Sequence, residues 1–558
     1  MGAGWAAGWA LAGMLAATPK PQVVSALEKV RPGVAVKGSA EARLSLARGE
    51  CEAAQVVLPS PATRVRVQPL ALSGPGQPLK ASVWREAYLD VRTPSNGQGA
   101  AGLWPDALIP LEAPPTPGAP AVLYVELCAP EGQAPGSYQG TLHVEAEGEA
   151  LAPVPFTAQV QPFVLPATAS LPTSFGMSLY SISRGHGLEA TSPEARELLH
   201  AYARTLLEHR VSAHGMGMDA PPVRFEDGRA VVDFRAYEAE MAPFLEGKAL
   251  SSGARFTTAE VRDSRQARTE AEKVAYYRAF AEYFRKKGWS AQLFFYAKDE
   301  PKPEDVALVR SQSARVRKAG SVPVLVTAPL DEALRGTADI LTPTLNCFFP
   351  RPGPQTCRNV LPLASLRGRL APRTKVWWYQ SCNSHGCNGG PAEDATLEEV
   401  YSGWASYMVD HPAPLNRAMG PLAFLSGVDG ELYFDTVYAF NTKDVWKDVF
   451  EFGGNGDGTL FYPGTPARLG TSAHQPVVSL RLKHIRDGLE DYEYLRLLKQ
   501  LGEEPFAREA VRQLARSGYQ VERDPRRWEQ VRQEMTARLK KRWEGSEYAK
   551  RSGVQPRQ

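Results

Sequence analysis

The chain has 558 residues and a mass of 60.9 kDa, too long for one ordinary domain and sized for two or three. With 43% hydrophobic and 22% charged residues it has the composition of a globular protein with a large core, so disorder is excluded as a general description. The 64 basic and 61 acidic side chains nearly cancel to a net charge of +3, which argues against nucleic acid as a partner.

The first elements are read in chain order. Residues 1–19 form a short apolar segment ending in small residues, like the h-region and cleavage site of a secretory signal, although the first lysine is Lys20 and a basic n-region is missing. The expectation is a secreted or periplasmic protein. No later stretch approaches the ~18 to 20 uninterrupted apolar residues of a membrane span. From residue 20 to 165 short alternating runs recur, such as Ala53 to Leu58, Ala121 to Leu127 and Gly140 to Glu145, separated by proline and glycine turns. That spacing predicts a β-sandwich.

Residues 170–500 change to a strand-then-helix rhythm. Strands are predicted at Ser174 to Leu179, Val211 to Met216, Ala254 to Thr258, Leu293 to Ala297, Val322 to Thr327, Ile340 to Leu341, Lys375 to Tyr379 and Pro421 to Leu425. Helical segments fall between them, among them Pro193 to His209 behind the N-cap Ser192, Thr269 to Lys287 and Pro303 to Lys318. Eight strand signals alternating with helices predict a (β/α)8 TIM-like barrel. A doubly wound open sheet is the alternative, but no Gly-rich phosphate fingerprint follows an early strand. Helices predicted at Ser479 to Leu501, Pro505 to Arg516 and Pro525 to Trp543 lead into a helical C-terminal extension, residues 501–558.

Six cysteines lie in three local groups: Cys51 with Cys128, Cys347 with Cys357, and Cys382 with Cys387. Three local disulfides would suit an exported protein, but six cysteines allow 15 connectivities. A zinc reading of the Cys382–Cys387 loop with His385 offers only three ligands at unfamiliar spacing, so a disulfide loop is preferred and no metal is expected.

The chemistry concentrates at Leu293 to Pro301. A buried-strand run ends in Asp299 and Glu300, and proline then stops the pairing. In a parallel barrel the carboxyl ends of the strands carry the active site. Two-carboxylate glycosidases take their acids from different strands, roughly 5 to 9 Å apart. Neighbouring strand residues point to opposite faces, so an adjacent pair fits that design poorly. It fits better when a 2-acetamido group of the substrate supplies the nucleophile. Asp299 then orients the amide, and Glu300 acts as acid and later as base. Helix capping or a solvent-facing turn is the structural alternative for such a pair.

The segments Tyr296 to Pro301, Trp377 to Tyr379, Gly430 to Phe434, Gly456 to Gly464 and Ser479 to Leu495 together resemble glycoside hydrolase family 123, the β-N-acetylgalactosaminidases, and the broader group of uncharacterised proteins with a related catalytic domain. The resemblance spans about residues 170 to 500. It implies a β-sandwich followed by a barrel, hydrolysis assisted by the acetamido group with retention of configuration, and the stated roles of Asp299 and Glu300. The chain departs from the family at Leu432 to Phe434 and in the loop after Tyr379, where the sugar ring should be held. Substrate-binding candidates are Tyr379, Trp378, Asn346 and Tyr433, with core packing as the alternative for the tryptophan. Asp429 reads as a turn residue, and Arg486 to Tyr492 as a structural charge network opening a helix and closing the barrel. His214 and His385 show no partner in the sequence, and no G-x-S-x-G elbow supports an esterase.

The expected protein is thus an exported glycosidase acting on a terminal β-linked 2-acetamido sugar, with a glycan or glycoconjugate as substrate and no organic cofactor. A glycosidase of different sugar specificity, or a non-catalytic carbohydrate-binding or surface protein on the same scaffold, are the alternatives.

Overall fold

The computed structural model describes residues 20–544 and 546, apart from 60, 61, 217, 218, 290, 321, 330, 331, 355, 356 and 358. The signal-like segment 1–19 and the last residues of the C-terminal extension lie outside the described residues.

The N-terminal region is all-β. A six-stranded sheet includes Glu50–Val57, Leu79–Val91, Gly102–Ile109 and Val122–Ala129, and a three-stranded sheet joins Ala42–Arg48, Val154–Val164 and Gly136–Leu142. Both sheets contribute to one core, through Val56, Leu123 and Val125 from the first and Leu46, Phe156 and Val160 from the second. Cys51 and Cys128 face each other across the antiparallel pair and form a disulfide; Cys347–Cys357 and Cys382–Cys387 are also bonded, so all six cysteines are paired as their local grouping suggested.

Eight strands then form a parallel, nearly closed barrel: β1 (Thr173–Met177), β2 (Ala213–Gly215), β3 (Thr258–Glu260), β4 (Gln292–Asp299), β5 (Val324–Thr327), β6 (Ile340–Leu341), β7 (Lys375–Tyr379) and β8 (Gly430–Tyr433). The hydrogen-bonded order runs β2-β1-β8-β7-β6-β5-β4-β3. Among the described residues β2 and β3 share no ladder. Side chains tie this part of the barrel instead: the Ser212 and Thr257 hydroxyls, just before β2 and β3, lie 2.8 Å apart, and the Thr258 hydroxyl of β3 donates to the Thr173 carbonyl of β1 at 2.7 Å. Period-two alternation puts Phe294, Leu325, Ile340, Trp377, Tyr379 and Leu432 together inside the barrel.

Helices α1 (Pro193–Glu208), α2 (Glu270–Lys287) and α3 (Val306–Ala319) follow strands as expected; α1 is capped by Ser192, and α2 by a reciprocal Thr269–Glu272 box. One expected strand is corrected. Pro421 to Leu425 belongs to α4 (Met419–Ser426), and the eighth strand is Gly430–Tyr433. Most of α4 is buried, and a short run that is apolar on all sides has no period to separate strand from helix. The chain ends in α5 (Leu480–Gln500), α6 (Glu504–Leu514) and α7 (Pro525–Trp543). Among the described residues no helix is long and apolar enough to cross a membrane.

Candidate functional site

Strand β4 delivers the acid pair to the carboxyl end of the barrel. Its pairing with β5 slips between Tyr296 and Lys298, an irregularity that turns the strand end. Glu300 then takes a positive φ of 39°, which a non-glycine residue adopts only when its surroundings enforce it. These two departures remove the objection from alternation: adjacent side chains that should diverge are both held over the barrel mouth.

The Asp299 Oδ1 accepts two hydroxyls, from Tyr296 at 2.8 Å and from Thr327 at 2.8 Å. Thr327 Oγ1 in turn accepts the backbone N–H of Glu300 at 3.0 Å. Across the mouth, the phenol of Tyr379 at the end of β7 donates to Glu300 Oε1 at 2.5 Å. Burial first, and then the Glu300 and Asp299 charges, push the Tyr379 phenol well above its usual range. Burial and the Asp299 charge do the same to Tyr296. Both phenols therefore remain protonated donors. Asp299 and Glu300 are themselves exposed, so a ligand can reach them.

The other expected binding residues are placed differently. Trp378 alternates out of the barrel, is fully buried and packs against Phe348 and Phe349. This is the core packing named as the alternative for the tryptophan, because a side chain on the helix side of the strand does not meet a ligand in the mouth. Tyr433 lies on the face of β8 opposite Leu432, among Phe175 and Tyr407. Its hydroxyl donates to Asp457 at 3.1 Å and accepts the Gly458 N–H at 2.7 Å. Asn346 is buried and donates to the Ser384 carbonyl at 2.6 Å, tying the loop after β6 to the loop after β7.

That second loop is built on Asp457. Its Oδ2 accepts the Cys382 N–H at 2.9 Å and the Ser381 hydroxyl at 3.1 Å, and burial raises its pKa to about 6. Gly456 and Gly458 make this turn possible. Both have positive φ, and a Cβ at Gly456 would sit 2.7 Å from the Arg481 guanidinium. Tyr433 and Asn346 thus support the loops of the mouth.

Cys382 and Cys387 are disulfide-bonded, and the histidine grouped with their sulfurs is His411, not the His385 of the three-ligand zinc reading. His385 is buried against Trp404, and burial together with His411 lowers its pKa to about 3. His214 has a partner, the Ser174 hydroxyl at 3.0 Å. Asp429 accepts the Val376 N–H at 2.8 Å and an Arg367 N–H at 3.0 Å, at the amino end of its strand and away from the acids. The Arg486 to Tyr492 segment lies in the middle of α5, not at its start; Arg486 pairs with Glu126 of the N-terminal sheet and Asp491 with Arg417. Thr327 and Tyr296 were not singled out from the sequence. The available signal was the one that marked Asp299: a polar group at the carboxyl end of a buried run.

An all-β region followed by a nearly closed parallel barrel, with polar groups gathered at the carboxyl ends of β4, β5 and β7, defines the fold class as that of TIM-like barrels. The same overall fold occurs in a family 123 glycoside hydrolase from Clostridium perfringens, studied for glycolipid glycan hydrolysis. The two overlap with a TM-score of 0.61 at 12% identity, over 94% of this chain and 98% of that one. Looser overlaps are with a family 39 glycoside hydrolase from Bacteroides cellulosilyticus WH2 (TM-score 0.33, 11% identity, 81% of this chain and 82% of that one) and a GH5 xyloglucanase from Bacteroides ovatus (TM-score 0.26, 11% identity, 83% and 100%). No family model and no curated protein matches the sequence.

Proposed function

We propose that the protein is an exported retaining glycoside hydrolase that removes terminal β-linked 2-acetamido sugars, N-acetylgalactosamine in preference, with the substrate's own acetamido group as nucleophile. The convergence of adjacent Asp299 and Glu300 in one mouth carries this reading. Asp299 has Oδ1 occupied by two hydroxyl donors, which turns its other oxygen toward the acetamido N–H. Glu300, fixed through one oxygen by Tyr379, gives its proton to the glycosidic oxygen as the C1–O bond breaks. The acetamido carbonyl oxygen bonds to C1 from the opposite face, forming an oxazolinium ion whose N–H lies on Asp299. Glu300, now a carboxylate, takes a proton from water as that water attacks C1 and the five-membered ring opens. Two inversions give net retention.

In this reading residues 20–165 form a β-sandwich, residues 170–500 the catalytic barrel and residues 501–558 a helical extension. The complete pairing of cysteines supports export to an oxidising compartment. A different terminal sugar is the second reading, favoured by the disulfide-closed Cys382–Cys387 loop at the carboxyl end of β7, where the chain departs from the family pattern.

Aryl β-N-acetylgalactosaminide and β-N-acetylglucosaminide test the proposal by aglycone release. Glu300→Gln should lower kcat by about 10²- to 10⁴-fold, with partial recovery on a substrate whose leaving group needs no proton. An Asp299→Asn variant as active as wild type would sink the assisted mechanism. Glycan binding without release from either substrate would instead support a non-catalytic carbohydrate-binding protein.

A further inference from the structure

We infer that Thr327 is a positioning residue that sets both acids with a single hydroxyl. The inference rests on the proposed assignment of Asp299 and Glu300 as the acting pair. Thr327 is the last residue of β5 and is itself 1% exposed. Its one proton goes to Asp299 Oδ1 and its oxygen receives the Glu300 N–H, with the Tyr296 hydroxyl 3.1 Å away. A hydroxyl has one donor and two acceptor sites, so these two bonds are compatible and use its donor fully.

The two bonds act on different degrees of freedom. The first, with the Tyr296 phenol on the same oxygen, fixes the rotation of the Asp299 carboxylate and so decides which oxygen faces the mouth. The second holds the backbone of Glu300 at φ 39°, a conformation that a non-glycine L-residue enters only under restraint. Without that bond the Glu300 peptide is free to relax toward an ordinary φ, which would swing the side chain away from Tyr379. A displacement of this kind, near 1 Å, can cost about 10²-fold in rate with little effect on ground-state binding. Valine keeps the branched shape of threonine and removes the hydroxyl; serine keeps the hydroxyl and removes the methyl.

The experiment compares Thr327→Val and Thr327→Ser in the full chain, on aryl β-N-acetylgalactosaminide and β-N-acetylglucosaminide, with hydrogen exchange of the peptide containing the Glu300 amide. Thr327→Val should lower kcat about 100-fold with KM changed less than about threefold, while Thr327→Ser stays within about threefold of wild type. Exchange at Glu300 should accelerate in the valine variant alone. Equal activity of the two variants, or a loss confined to KM, overturns the inference while leaving the proposed function standing if Glu300→Gln is inactive. Should wild type release neither aglycone, the proposed function falls, and exchange decides the geometric inference: equal protection in wild type and valine variant overturns it.

Discussion

Asp299 and Glu300 are neighbours held by different means. Asp299 is fixed by two hydroxyls on one oxygen, and Glu300 by a strained backbone and a single phenol. The phenol of Tyr379 therefore has a job that packing cannot do. It is 6% exposed, with its pKa raised by burial and by Glu300, so it stays a donor across the range in which carboxyl groups titrate. Tyr379→Phe removes the donor and leaves the ring. Because Glu300 is exposed, water can replace the lost bond, and stability should change by no more than about 1 kcal/mol. Freed at Oε1, the carboxyl loses its fixed rotamer, and kcat/KM on aryl 2-acetamido glycosides should fall about 10- to 100-fold. Steady-state kinetics beside a thermal melt separates these effects. A melt lowered in proportion to the activity would mean that Tyr379 is only core.

At the scale of elements, the mouth depends on loops whose supports are buried charges. Asp457 gathers the Cys382 N–H, the Ser381 hydroxyl and the Tyr433 hydroxyl; these lower its pKa, yet burial outweighs them and brings it to about 6, above the ordinary 3.8. The folded protein thus holds this proton more tightly than the unfolded chain does. Stability from this group falls as pH rises from about 4 to 6 and is level above that, by about 3 kcal/mol at most. Asp457→Asn should remove the dependence, so the difference in unfolding free energy between wild type and variant, followed by denaturant titration from pH 3.5 to 7, should slope in that window and flatten beyond it. A difference that stays constant with pH would refute the assignment. The sequence made some of these elements plain and hid others. The buried run ending in Asp299 and Glu300 was legible because polarity changes abruptly at a strand end. Which face of β7 enters the barrel was not: Trp377, Trp378 and Tyr379 are all aromatic, so alternation shows only that the first and third share a face. Tyr379 meeting Glu300 settles that face and sends Trp378 outward. The run Pro421 to Leu425 was hidden for a related reason, since a segment buried all round has no amphipathic period.

The whole molecule is joined by a buried network of ions between the N-terminal sheets and α5. Arg486 and Lys483 of α5 pair with Glu126, and Arg417 pairs with Asp491 at 2.6 Å. Arg532 of α7 reaches both Glu50 and Asp491. The most enclosed pair is Arg481 with Asp106, both fully buried. The guanidinium donates to Asp106 at 2.8 and 3.0 Å and to the carbonyls of Tyr407 and Gly456 at 3.0 and 2.9 Å, while the Tyr462 hydroxyl donates to Asp106 at 2.6 Å. Burial alone would raise the Asp106 pKa, but Arg481 outweighs it and the group is held below its usual value. Removing one partner leaves a buried charge without compensation, which costs about 3 to 5 kcal/mol, whereas removing both charges costs much less. Arg481→Met should therefore destabilise the protein by that amount in chemical denaturation, and Asp106→Asn combined with Arg481→Met should recover at least half of the loss. The same guanidinium fixes the Gly456 carbonyl, one residue before Asp457. Stability recovered in the double variant should then come without full recovery of kcat, because the turn beneath the Cys382–Cys387 loop still lacks its anchor. Full recovery of both would show that the network only joins the N-terminal sheets to α5 and does not shape the mouth.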